Sequence, residues 1–119
     1  MNPVQHAVDL RRYNTFGICE TAEHLVEVDS LTQLLEAFAR AERESWPVSI
    51  LGGGSNVVLA GPLPGLLICM RNRGRRILSR DADSVVIEVA AGENWHRLTS
   101  WSIDHGLSGL ENLSLIPGT

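Results

Sequence analysis

Val48-Ser49-Ile50-Leu51-Gly52-Gly53-Gly54-Ser55-Asn56 joins a short apolar run to three consecutive glycines and two small polar side chains. The apolar half suits a buried strand, and the glycine half suits a turn that takes positive φ with no Cβ in the way. Successive N–H groups in such a turn converge on one concavity that holds an anion, with Ser55 and Asn56 adding side-chain donors. A phosphate or pyrophosphate ligand is therefore expected here, against the plainer reading of a tight turn closing a strand. Walker A is excluded because it needs a lysine at the phosphates, and the chain contains none. The dinucleotide fingerprint is excluded too, since Val57 stands where its third glycine belongs and Pro62 and Pro64 follow where a helix should open.

Upstream of the loop, His24-Leu25-Val26-Glu27-Val28 alternates as a strand, and Ser30 and Gln33 have capping-box spacing at a helix start. Leu31, Leu34, Leu35 and Phe38 repeat at i, i+3, i+4 and i+7, so this stripe is expected to face the sheet from a helix running to about Glu44. The strand, helix and strand then form one unit with the glycine loop at its exit, outside the carboxyl ends of the strands where such units bind ligands. Beyond Gly61-Pro62-Leu63-Pro64-Gly65, the short apolar runs 66–70, 75–78 and 85–90 read as an antiparallel meander. The proline-glycine segment thus predicts a first lobe over residues 1–64 and the beginning of a second over 65–119. Asn94 is expected to cap a further helix ending near Gly106, with Trp95, Leu98 and Trp101 on its apolar side.

The 119 residues, 44% of them hydrophobic, are enough for a folded domain. A net charge of -4 argues against sequence-independent nucleic-acid binding. No run approaches the ~20 apolar residues of a membrane span, and residues 1–12 lack the apolar core of a signal peptide. A cytoplasmic protein without a membrane partner is the expectation. Cys19 and Cys69 have no second ligand at metal-binding spacing and read as reduced thiols. Arg71, Arg73, Arg75 and Arg76 read as a solvated hairpin tip rather than a phosphate clamp. His96 beside Glu93 reads as a helix-start pair rather than an acid-base pair, and Trp95 and Trp101 as core.

Four blocks occur in order: Asn14-Thr15-Phe16-Gly17, residues 51–56, Ala91-Gly92-Glu93-Asn94-Trp95-His96, and Gly109-Leu110-Glu111-Asn112-Leu113 leading into Ile116-Pro117-Gly118. Together they resemble the bacterial UDP-N-acetylenolpyruvoylglucosamine reductase family (MurB), over nearly the whole chain. The resemblance implies an α+β fold, the FAD-binding architecture of the vanillyl-alcohol oxidase and p-cresol methylhydroxylase type, of which this chain would be the N-terminal part only. It implies FAD as cofactor, with Gly52, Gly53, Gly54, Ser55 and Asn56 at its pyrophosphate and Ile116, Pro117 and Gly118 in the second stretch around the flavin. It further implies NADPH as hydride donor, a UDP-sugar substrate, and reduction of UDP-N-acetylglucosamine enolpyruvate to UDP-N-acetylmuramate in peptidoglycan synthesis. The family's proton donor and charge-stabilising residues are expected beyond Thr119, so no catalytic residue and no metal ligand is assigned, and the chain alone is expected to be inactive. Two alternatives stay open: a non-catalytic binding module whose glycine loop is only a turn, and part of another flavin oxidoreductase of the same fold.

Overall fold

Leu66, Leu67, Ile68 and Cys69 are all buried, alternately to one face and the other, and this run forms the interior of a four-stranded sheet. In the computed structural model, which describes residues 2–119, the strands are β1 (Gln5–Asp9), β2 (Thr21–Val28), β3 (Val48–Leu51) and β4 (Leu63–Met70). Their order is β1-β2-β4-β3, with β1 antiparallel to β2 and the other neighbours parallel. Met1, the start of the segment read for a leader, lies outside the described residues.

The placement of β4 corrects the expected meander. A strand that is apolar on both faces belongs in the middle of a parallel sheet, covered on each side, and β4 pairs with both β2 and β3. The 64/65 boundary therefore runs through β4, and the proline-glycine segment is a connection within one sheet. The second sheet is only the hairpin β5 (Arg75–Arg80) and β6 (Val85–Val89), antiparallel as the sequence suggests.

Helix α1 (Leu31–Arg43) starts where expected, because the Ser30 side chain accepts a hydrogen bond from the Gln33 N–H. Its buried face differs from the predicted stripe. Ala37 and Ala41, with Leu34 partly buried, pack against Val26, Val28, Leu66 and Ile68. Leu31, Leu35 and Phe38 are 70%, 59% and 42% exposed. The two small alanines let the helix axis approach the sheet, and that closeness sets the rotation of the helix, leaving the larger residues to one side. The opposite face of the sheet, Leu25, Leu51, Leu67 and Cys69, is covered by Leu10 and by Val57 and Leu59 of the segment that follows the glycine loop. Helix α2 (Trp95–Asp104) is capped by Asn94, which accepts from the Arg97 N–H. Among its predicted apolar residues only Leu98 is buried, beside Thr99 and Ser102. Trp95 and Trp101 are half-buried rather than core.

Candidate functional site

Residues 52–56 leave the carboxyl end of β3 and turn across the sheet toward the single-turn helix Leu10–Tyr13. Gly54, at φ +74°, is buried, and a Cβ there would overlap the Tyr13 carbonyl and Asn14 Cα. The Thr15 N–H donates to the Gly54 carbonyl at 2.9 Å, which fixes the contact. Gly54 is thus required for seating the loop on the chain beneath it.

The supporting turn is itself knitted by Asn14, a buried side chain. Its Nδ2 donates to the carbonyls of Leu10 and Ile18 at 2.8 and 3.1 Å, and its Oδ1 accepts from the Ile18 N–H at 2.9 Å. With all its polar atoms engaged, the cost of burying the amide is offset by its hydrogen bonds. Tyr13 packs beside it under the Arg71 guanidinium, 6.0 Å from the ring centroid. Burial first, then the Glu27 carboxylate, pushes the Tyr13 phenol above its ordinary range. Tyr13, Asn14 and Thr15 were not singled out as site residues, although the Asn14-to-Gly17 block and the turn glycine Gly17 carried the signal.

Gly52 and Gly53 face the other way. A Cβ on either would run into the Thr119 side chain, whose hydroxyl accepts a hydrogen bond from the Gly53 N–H at 3.1 Å. The structure therefore brings the two sequence-predicted stretches, 52–56 and 116–118, to one place. Ser55 is half-buried and Asn56 exposed. The second stretch is anchored by the first turn of α2: the Trp95 N–H donates to the Gly118 carbonyl at 3.3 Å, the Trp95 indole donates to the Leu113 carbonyl at 2.7 Å, and His96 Nδ1 lies 2.8 Å from Ser114 Oγ. Leu115 is held at φ +64°, an uncommon conformation for a residue with a side chain. Ile116 and Pro117 are exposed beside it.

His96 and Glu93 do not form an acid-base pair. Glu93 accepts from the Gly74 N–H and faces Arg75, while His96 meets Ser114. Three of the four clustered arginines are likewise committed: Arg71 to Glu27, Arg75 to Glu93 and Arg76 to Glu88. Trp101 lies beneath the Arg75 guanidinium. No group of three or more potential metal ligands occurs among the described residues.

The donor set at this turn, backbone N–H groups with the Ser55 and Asn56 side chains, is of the kind that suits a phosphate oxygen. The N–H of Gly53 donates to the Thr119 hydroxyl oxygen, and that side chain fits beside Gly52 and Gly53 because neither has a Cβ. A sheet carries such a loop at its carboxyl end beside a second glycine-proline turn, and the FAD binding domain family matches residues 22–119. The chain belongs to that family. It is 44% identical over 115 residues to the UDP-N-acetylenolpyruvoylglucosamine reductase of Pseudomonas putida and 45% identical over 116 residues to that of Pseudomonas aeruginosa. These alignments cover 97% and 98% of the chain and 34% of each relative, so the chain spans about a third of their length. The crystal structure of the reductase (MurB) from Thermus caldophilus superposes with a TM-score of 0.70 at 28% identity, covering 99% of this chain and 40% of the other.

Proposed function

We propose that this chain is the FAD-holding part of an NADPH-dependent reductase that acts on the enolpyruvyl group of UDP-N-acetylglucosamine enolpyruvate and yields UDP-N-acetylmuramate for peptidoglycan synthesis. The observation that carries the reading is the meeting of Gly53 with Thr119, which brings the glycine loop beside the end of the Ile116-Pro117-Gly118 turn. In it, the backbone of Gly52, Gly53 and Gly54 with Ser55 and Asn56 holds the pyrophosphate, and residues 116–118 approach the rest of the nucleotide. Bound FAD supplies hydride chemistry, which no amino-acid side chain supplies, with NADPH as the donor class. This chain's residues bind and orient; none is assigned a proton-transfer role. The FAD binding domain match over residues 22–119 supports cofactor binding by this chain.

Titration of FAD with the purified chain, followed by flavin fluorescence, tests the cradle. Saturable binding is expected, weak enough to be lost on gel filtration, and Gly53→Val should abolish it while leaving the unfolding midpoint unchanged. Equal FAD affinity in a folded Gly53→Val chain overturns the assignment. NADPH oxidation dependent on UDP-N-acetylglucosamine enolpyruvate should be absent from this chain and present in the Pseudomonas putida relative. Turnover at a hundredth of that relative's rate would place essential chemistry within residues 1–119.

A further inference from the structure

Arg71 stands apart from the other arginines of its cluster. It follows β4 directly, and its N–H donates to the Val28 carbonyl at 2.7 Å, continuing the sheet ladder one residue further. Leu51 pairs with Cys69, so Arg71 lies at the edge of the sheet from which the glycine loop leaves β3. Its backbone is held from a second direction: the Gly92 N–H donates to Asn72 Oδ1 at 3.0 Å, and a Cβ on Gly92 would overlap the Arg71-Asn72 backbone. The side chain is held far less. Its bond to Glu27, from Nη2 to Oε1 at 3.3 Å, joins two side chains that are each 40% exposed. An ion pair so open to water contributes little and is readily exchanged. The guanidinium lies over the Tyr13 ring, 6.0 Å from its centroid, and the Tyr13 carbonyl is the group against which Gly54 is seated. One residue thus supports both the loop and the arginine head.

We propose that Arg71 exchanges Glu27 for the diphosphate of the bound nucleotide and supplies the positive charge that the glycine loop lacks. This rests on the flavin-nucleotide reading above. Gly52, Gly53, Gly54, Ser55 and Asn56 are all uncharged, so the loop offers only dipoles to a group whose phosphoryls are each ionised at neutral pH. A guanidinium presents a planar fork of donors to phosphate oxygens, and such charge-assisted bonds are stronger than neutral ones. Glu27 holds the head beside Tyr13 in the unliganded chain and competes with the ligand for it. Removing the Glu27 charge therefore helps binding, the opposite of what a pair with a structural role alone would show. The other arginines nearby are engaged elsewhere: Arg12, next to Tyr13 in sequence, acts with Arg11 on the Asp9 carboxylate, and Arg75 and Arg76 face Glu93 and Glu88.

Calorimetric titration of the chain with FAD, and with ADP, which shares the diphosphate, tests the exchange. Arg71→Gln should weaken both ligands by the same factor, about tenfold or more. Arg71→Lys, which keeps the charge and loses the fork, should fall between it and the unaltered chain. Glu27→Gln should tighten both ligands about threefold, and most of that gain should vanish when Arg71→Gln is added, because the two changes act on one pair. Glu27→Gln removes a charge from a half-exposed position, and it keeps the test open should Arg71→Gln fail to fold. Arg12→Gln and Arg73→Gln should leave both affinities unchanged. FAD binding no tighter in Glu27→Gln, an equal gain from Glu27→Gln in the Arg71→Gln background, or a loss in Arg12→Gln as large as that in Arg71→Gln overturns the exchange alone. No saturable binding of either nucleotide by the unaltered chain overturns the flavin reading and the exchange with it.

Discussion

Gly53 and Gly54 are neighbours with opposite reasons for being glycine. Gly54 sits against backbone at Tyr13 and Asn14, so any side chain must push the loop off its support as well as strain the φ of +74°. Gly54→Ala should therefore cost about 1–3 kcal/mol in urea unfolding and weaken FAD binding together with it. Gly53→Ala, which meets only the Thr119 side chain, should weaken FAD binding with stability within about 0.5 kcal/mol of the parent. Cys69 offers a second test. Burial, assisted by the Glu27 carboxylate and opposed by Arg71, pushes its thiol up to about 12. An unfolded thiol ionises near pH 8.5. Between that pH and about 12 the unfolded state holds fewer protons than the folded one, so stability is fully present below the window and declines as pH rises through it. Urea midpoints should fall between pH 8 and 10.5, and Cys69→Val should reduce the fall, the remainder coming from Tyr13, whose shift has the same sign. In the native chain a thiol reagent should modify exposed Cys19 and spare Cys69.

For α1, the spacing that announces a helix does not say which way it faces. Phe38 is 42% exposed, so Phe38→Ala should cost under about 1 kcal/mol in denaturant unfolding, well short of a core deletion. Ala41→Leu should cost about 1–3 kcal/mol by overpacking the closest approach to β2 and β4. Helix starts were legible because Ser30 and Asn94 announce them chemically, and the glycine loop because no other backbone does that work. The burial of Ala37 and Ala41 was not, since small residues carry little hydrophobic signal. Thr99 and Ser102 were also missed. Their hydroxyls donate to carbonyls of their own helix, Trp95 and Thr99 at 3.1 and 2.7 Å, which removes the cost of burying them. β1 alternates too weakly, in Gln5-His6-Ala7-Val8-Asp9, to be distinguished from a polar terminus. The centrality of β4 depends on pairing with strands far along the chain, which local pattern does not encode.

The molecule as a whole is elongated, with extents of 50 × 30 × 18 Å and a radius of gyration of 16.7 Å. A compact chain of this length would have about 13.5 Å. The excess arises because the β5–β6 hairpin and α2 stand beside the first sheet and bury little on it; every residue of β5 is exposed. Two strands without a packed face are marginal in water. Amide hydrogen exchange should therefore be much faster in residues 75–89 than in β2 and β4, and a protease should cut first near the Asp81-to-Ser84 turn. Comparable protection in both sheets would show that the hairpin is stabilised as strongly as the core. At the far side of the first sheet, β3 is an edge strand, and its Val48 and Ile50 are exposed on the face that carries α1. An unpaired ladder of N–H and C=O groups beside apolar side chains is a template on which another extended segment can stack. The chain's colloidal behaviour is thereby set at four residues: concentrated solutions should scatter light increasingly with time, and Ile50→Lys, which places a charge on that border, should suppress the growth without altering the FAD cradle.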